Sequence, residues 1–82
     1  MYMVIPDLQL YYRPTCPFCV KVLRFMERHN ITIGLHNVSE SPDDLAFLVT
    51  KGGKQQVPCL FIDGAALYES DAIIEYLDRV FA

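Results

Sequence analysis

Thr15-Cys16-Pro17-Phe18-Cys19 follows the apolar run Leu8 to Tyr12 and precedes a helical pattern. Proline suits the first position of a helix, where its missing N–H costs nothing and its φ is already helical. Cys16 is then the N-cap residue, its sulfur near the free N–H groups of Phe18 and Cys19. Those groups, together with the positive end of the helix dipole, favour thiolate over thiol. Cys19 lies one turn inside and is more shielded. The spacing pairs an exposed, low-pKa nucleophile with a sheltered thiol placed to attack a disulfide formed on it.

Three plainer readings account for less. A structural disulfide would close a very short loop and add little stability, and no secretory signal accompanies it. C-x-x-C is also a metal-ligand spacing. The other soft or imidazole ligands, Cys59, His29 and His36, form no second close pair, so no metal site is expected. Core packing explains Cys19 but not Cys16 ahead of a proline.

A chain of 82 residues with 52% hydrophobic content is enough for one domain, 1–82, with one modest core, and it argues against disorder. No apolar run is long enough to span a bilayer, and Met1 to Leu10 lacks a positively charged start. A reducing, cytoplasmic setting without membrane attachment is the expectation, and the odd cysteine count agrees with it. The net charge of −3 hides an asymmetry: residues 1–39 carry +2 and residues 40–82 carry −5. Basic groups therefore gather toward Cys16, where they favour a thiolate and an anionic ligand. The acidic total, without a basic and aromatic stripe, argues against nucleic acid as a partner.

Leu8 to Tyr12 reads as a first strand after a short lead-in, Met1 to Asp7. From Pro17 to about Asn30, Cys19, Val22, Leu23 and Met26 form an apolar side opposite Lys21, Arg24, Glu27 and Arg28. Asn30 suits the C-terminal cap, and His29 suits the dipole there. Ile31 to Val38 alternates, with Ile31, Ile33 and Leu35 predicted on the buried face and His36 on the other. Strand, helix and strand make a βαβ unit with parallel strands. Ser41-Pro42-Asp43-Asp44 starts a second helix with Leu45, Leu48 and Val49 as its apolar side, and Gly52-Gly53 ends it. Val57 to Ile62 is a third strand, Asp63-Gly64 a two-residue hairpin turn, and Ala65 to Tyr68 an antiparallel fourth. Glu69-Ser70-Asp71 opens the last helix, with Ser70 and Asp71 as caps and Ile73, Ile74, Leu77, Val80 and Phe81 as its stripe. The order β-α-β-α-β-β-α is an α/β fold, a four-stranded mixed sheet flanked by three helices.

That order, with Cys16-Pro17-Phe18-Cys19 and Val57-Pro58, resembles the thioredoxin fold and, within it, the glutaredoxins, over essentially the whole chain. The resemblance implies a cis Pro58 facing the active-site cysteine, and a groove that binds glutathione as co-substrate, with no tightly bound cofactor. It implies Arg13 at the glycine carboxylate, with Lys54 helping there. It places Phe18 beside the thiol, the Val57 backbone against the cysteinyl unit, and Glu69 and Ser70 where helix N–H groups hold the γ-glutamyl carboxylate. Three departures stand out. Gln56 replaces the threonine before Val-Pro, Leu67-Tyr68 replace the usual glycine pair, and Glu69-Ser70-Asp71 looks more like the glutathione-binding domain of glutathione transferases. Those enzymes generally lack both cysteines and add a helical second domain. No electrophile pocket of that kind is expected in a chain ending at Ala82.

The implied activity is that of a dithiol glutaredoxin, with Cys16 as nucleophile and Cys19 as resolving thiol. Its partners would be glutathione and glutathionylated or disulfide-containing proteins, and the chain would act as a monomer. The alternatives are a dimer bridging an iron–sulfur cluster through Cys16 and two glutathiones, which Pro17 disfavours, and a thioredoxin-like reductase independent of glutathione. Cys59 reads as a small buried strand residue.

Overall fold

Residues 6–81 are described by the computed structural model of the chain; Met1 to Ile5, most of the expected lead-in, and Ala82 lie outside them. β1 (Leu8–Tyr12) is the inner strand on which the rest is built. It pairs in parallel with β2 (Gly34–Asn37) and antiparallel with β3 (Cys59–Ile62), which in turn pairs antiparallel with β4 (Ala65–Tyr68). The sheet order is β2-β1-β3-β4. Between the strands run α1 (Pro17–Arg28) and α2 (Pro42–Gly52), and α3 (Ser70–Phe81) closes the order β-α-β-α-β-β-α. This is the thioredoxin-like α/β arrangement.

The period of two along β1 and β3 divides the core into two layers. Leu8, Leu10 and Leu60 pack with Val22 and Met26 of α1, Ile73 and Leu77 of α3, and Ile31. Tyr11, Cys59 and Phe61 face the other way, against Leu48 of α2 and Val38. Burial of each such side chain contributes about 1.5–3 kcal/mol, so the sheet, covered on both faces, carries most of the stability. Tyr11, Phe47 and Phe61 form an aromatic cluster, with Tyr11 and Phe61 edge-to-face at 5.1 Å.

Local chemistry follows the sequence closely. Ser41 Oγ accepts from the Asp44 N–H, and Gly53 closes α2 at φ 83°. Asp63 and Gly64 both take positive φ, 49° and 88°, as a two-residue hairpin turn of type I′ requires. Several expectations need correction. α1 stops at Arg28 and His29 is its C-cap, while Asn30 sits beyond it in the left-handed region, φ 55°. β2 spans only Gly34–Asn37. Ile31 and Ile33 do pack on the core, but as connection rather than strand, and Leu35 is 49% exposed. Among the described residues β2 is an edge strand, and Leu35 on its α1/α3 side finds no helix over it. Val49 is likewise exposed rather than core, β3 begins two residues later than Val57, and α3 is preceded by Glu69 rather than capped by Ser70.

His36, to which the sequence assigns no role, ties β2 to α2. Its Nδ1 lies 3.2 Å from Asp44 Oδ1 and its Nε2 2.7 Å from Gln9 Oε1, and its ring stacks on Tyr11 at 4.4 Å.

Candidate functional site

Cys16 stands at the N-cap of α1 with extended dihedrals, φ −81° and ψ 123°, and Pro17 follows at the first helical position. Its own N–H donates to the Arg13 carbonyl at 3.2 Å, which folds the β1–α1 loop under the cysteine. The thiol makes no capping hydrogen bond. Its surroundings nevertheless decide its ionisation. Partial burial pushes the pKa up, but the N–H groups of Cys19 and Phe18, the Cys19 thiol and the Arg13 charge together outweigh it, so the pKa is lowered.

Cys19 is fully buried and behaves oppositely. Burial, followed by its hydrogen bond to Cys16 and the Cys16 charge, pushes its thiol up to about 11, against the opposing Arg13 N–H and charge. The Arg13 N–H donates to Cys19 Sγ at 3.4 Å. The two sulfurs thus differ in the direction the spacing predicts: one partly accessible with its pKa lowered, one enclosed with its pKa raised. A direct check is alkylation of Cys16 by iodoacetamide as a function of pH. Because only the thiolate reacts and the Cys16 pKa is lowered, the rate is expected to hold as pH falls below the ordinary thiol value of about 8.5. It drops only when pH passes through the lowered pKa. A midpoint at or above that ordinary value would remove the physical basis of the site.

Beside this pair lies a groove of about 290 Å³, lined by Phe18, Gln56, Val57, Pro58, Glu69, Ser70 and Asp71. The Val57–Pro58 peptide is cis, as the resemblance implied. Phe18 is 62% exposed, an apolar side chain held out in water at the mouth. At the opposite wall, Glu69 takes φ 74° and its carbonyl accepts from the Ile73 N–H, so that α3 begins inside the groove wall at Ser70. A non-glycine residue in the left-handed region costs about 1–2 kcal/mol, and such outliers gather where a ligand is held.

Of the residues singled out from the sequence, the fold brings Phe18, Val57, Pro58, Glu69 and Ser70 together around one cavity. Arg13 lies with the cysteines rather than on the cavity wall. Lys54 is also off the wall: its Nζ sits 4.4 Å over the Tyr68 ring, whose hydroxyl donates to the Lys54 carbonyl at 3.4 Å. Two lining residues, Gln56 and Asp71, were not selected from the sequence. Gln56 was visible there only as a departure from Thr-Val-Pro, and Asp71 only as a helix-start acid. Cys59 is buried, and burial raises its pKa despite a hydrogen bond with Tyr68, in keeping with a structural thiol.

Known proteins share this fold. The family described as Glutaredoxin matches residues 8–67. Glutaredoxin 1 of Rickettsia felis is 25% identical over 75 residues, covering 88% of this chain and 72% of that protein. Among solved structures, the β-etherase LigF of Sphingobium sp. strain SYK-6 superposes with a TM-score of 0.75 at 27% identity, over 92% of this chain but 32% of that one. A buckwheat glutaredoxin–glutathione complex superposes with a TM-score of 0.69 at 20% identity, over 92% of this chain and 70% of that chain, a likeness of fold.

Proposed function

We propose that this chain, which belongs to the glutaredoxin family and is therefore a thiol–disulfide oxidoreductase, takes its electrons from glutathione and reduces glutathione mixed disulfides and protein disulfides. The observation that carries the reading is the lowered pKa of Cys16, two residues before Phe18, which lines a groove shared with the start of α3. The cavity is near the lower end of small-ligand pockets, roughly 300 Å³, a size that suits a short peptide.

Cys16 thiolate attacks the glutathione sulfur of a glutathionylated protein. The protein–glutathione S–S bond breaks, the protein leaves with its thiol restored, and Cys16 is left joined to glutathione. A second glutathione thiolate attacks that glutathione's sulfur, which releases Cys16 thiolate and oxidised glutathione. The low pKa serves both halves: it supplies the attacking thiolate, and it makes Cys16 a good leaving group in the second.

Bound glutathione lies with its cysteinyl unit against the Val57 backbone and Pro58, with Phe18 at its side. Its γ-glutamyl carboxylate meets the N–H groups at Glu69 and Ser70, and its glycine carboxylate meets Arg13. Lys54 joins Arg13 only by leaving the Tyr68 ring, a contact worth about 0.5–1 kcal/mol at an exposed site. Cys19 adds a second route, resolving a mixed disulfide between Cys16 and a protein.

The experiment is a comparison of electron donors. The protein and a glutathionylated peptide are supplied either with glutathione, glutathione reductase and NADPH, or with thioredoxin reductase and NADPH. Steady turnover is expected with the first and at most a few per cent of it with the second. The reverse pattern would make the chain a thioredoxin-like reductase instead.

A further inference from the structure

Lys21 Nζ of the second turn of α1 is paired with Asp71 Oδ1 of the first turn of α3. Asp71 lines the cavity, and among the described lining residues only Glu69 and Asp71 carry charge. Both partners of the ion pair are open to solvent, Lys21 at 53% and Asp71 at 84% side-chain exposure. An exposed ion pair of this kind contributes little to stability, so its removal leaves the fold nearly as it was. Its position is the informative part. A primary ammonium from the protein itself already occupies a carboxylate that faces the ligand cavity.

We propose that Lys21 is a specificity-determining residue that acts as an internal competitor: its ammonium holds Asp71 in the free protein and is displaced by a primary ammonium carried by the bound substrate. This rests on the glutathione reading, since the γ-glutamyl end offers an ammonium next to the carboxylate that the α3 N–H groups would hold. Lys21 lies within one helical turn of Cys19 and projects from the exposed side of α1, opposite the buried Cys19, Val22 and Met26. It is therefore free to swing away when Asp71 finds another partner. The exchange swaps one ammonium for another on one carboxylate, so no charge is buried uncompensated and the gain in affinity from the substrate amine is kept small. With Lys21 gone, Asp71 waits without a partner, and the same substrate amine counts for more.

The readout is the ratio of KM for an amine-blocked substrate to KM for the free-amine substrate, using glutathionylated peptide with its γ-glutamyl amine acetylated or intact. In Lys21→Met this penalty for blocking is expected to rise about two- to fivefold over wild type, the range an exposed ion pair allows. In Asp71→Asn it falls toward unity and stays there when Lys21→Met is added, because the two residues act through one contact. An unchanged ratio in Lys21→Met, or an equal change in the Asp71→Asn background, overturns the proposal. A parallel arm needs no glutathione: Cys16 is modified by a cationic ammonium-bearing methanethiosulfonate and by its neutral methyl counterpart. Lys21→Met should raise the cationic-to-neutral rate ratio, and Asp71→Asn should abolish that rise; no rise counts against Lys21. If the glutathionylated peptide is turned over no better than a simple mixed disulfide while the cationic arm behaves as stated, the glutathione reading fails and the role of Lys21 stands.

Discussion

Cys16→Ser is expected to lower turnover of a glutathionylated peptide by at least on the order of a thousandfold, with the fold intact by circular dichroism. Loss of an activated nucleophile commonly costs this much or more. The reason is chemical rather than structural. A serine hydroxyl at the same N-cap would stay protonated at neutral pH despite the N–H groups of Phe18 and Cys19 and the nearby Arg13, the features that lower the cysteine pKa. It has no route to a disulfide. The side chain is only partly buried, and a serine hydroxyl there can still accept from the Cys19 thiol, so the fold is expected to hold. Residual turnover near the wild-type rate would move the nucleophile elsewhere, and Cys59, the remaining thiol outside the motif, is buried.

Cys19→Ser should separate the two routes. Turnover of the glutathionylated peptide is expected to stay within about threefold of wild type, since only Cys16 and glutathione take part in it. Reduction of a protein disulfide should fall by roughly a hundredfold or more, with a Cys16–protein mixed disulfide accumulating and visible on a non-reducing gel. A thiol pushed up to about 11 is a poor nucleophile near neutral pH while that pKa lasts. Burial, the largest cause, persists during turnover, but the hydrogen bond and the charge contributed by Cys16 do not. Once Cys16 is bonded to another sulfur it is no longer a thiolate, and both effects vanish. The Arg13 N–H, 3.4 Å from Cys19 Sγ, and the Arg13 charge remain and act downward. Cys19 is therefore held protonated while Cys16 is free and becomes easier to ionise when its attack is needed. Loss of both activities in Cys19→Ser would mean that Cys19 supports the Cys16 thiolate itself rather than resolving disulfides.

The local chemistry of the active end was legible because it depends on neighbours in the chain. Cys16, Pro17 and Cys19 lie within one turn, so N-cap, first helical position and shielded sulfur follow from helix geometry alone. The same holds for the Ser41 cap and for Asp63-Gly64, where local conformation is set by side chains one to three residues apart. The buried stripe of α1, Cys19, Val22 and Met26, was readable from its period.

Leu35 and Val49 were misplaced for a common reason. Periodicity tells which residues share a face, but not whether another element covers that face. Leu35 alternates correctly along an edge strand whose outer part no helix reaches, and Val49 lies on the helix side that the sheet does not meet. At the site, too, the sequence does not fix where the long Lys54 side chain rests. Here Lys54 rests on Tyr68.

By itself, then, the sequence determined the order of elements, the Cys16 and Ser41 helix starts, the Asp63-Gly64 turn and the opposite pKa directions of two sulfurs, most of which depend on neighbours along the chain. Only the tertiary structure decided that Gln56 and Asp71 join the groove and that Lys21 reaches Asp71, fifty residues away. The Lys21–Asp71 contact arises where α1 and α3 pack on the same face of the sheet. No spacing along the chain encodes the distance between two helices so far apart in sequence.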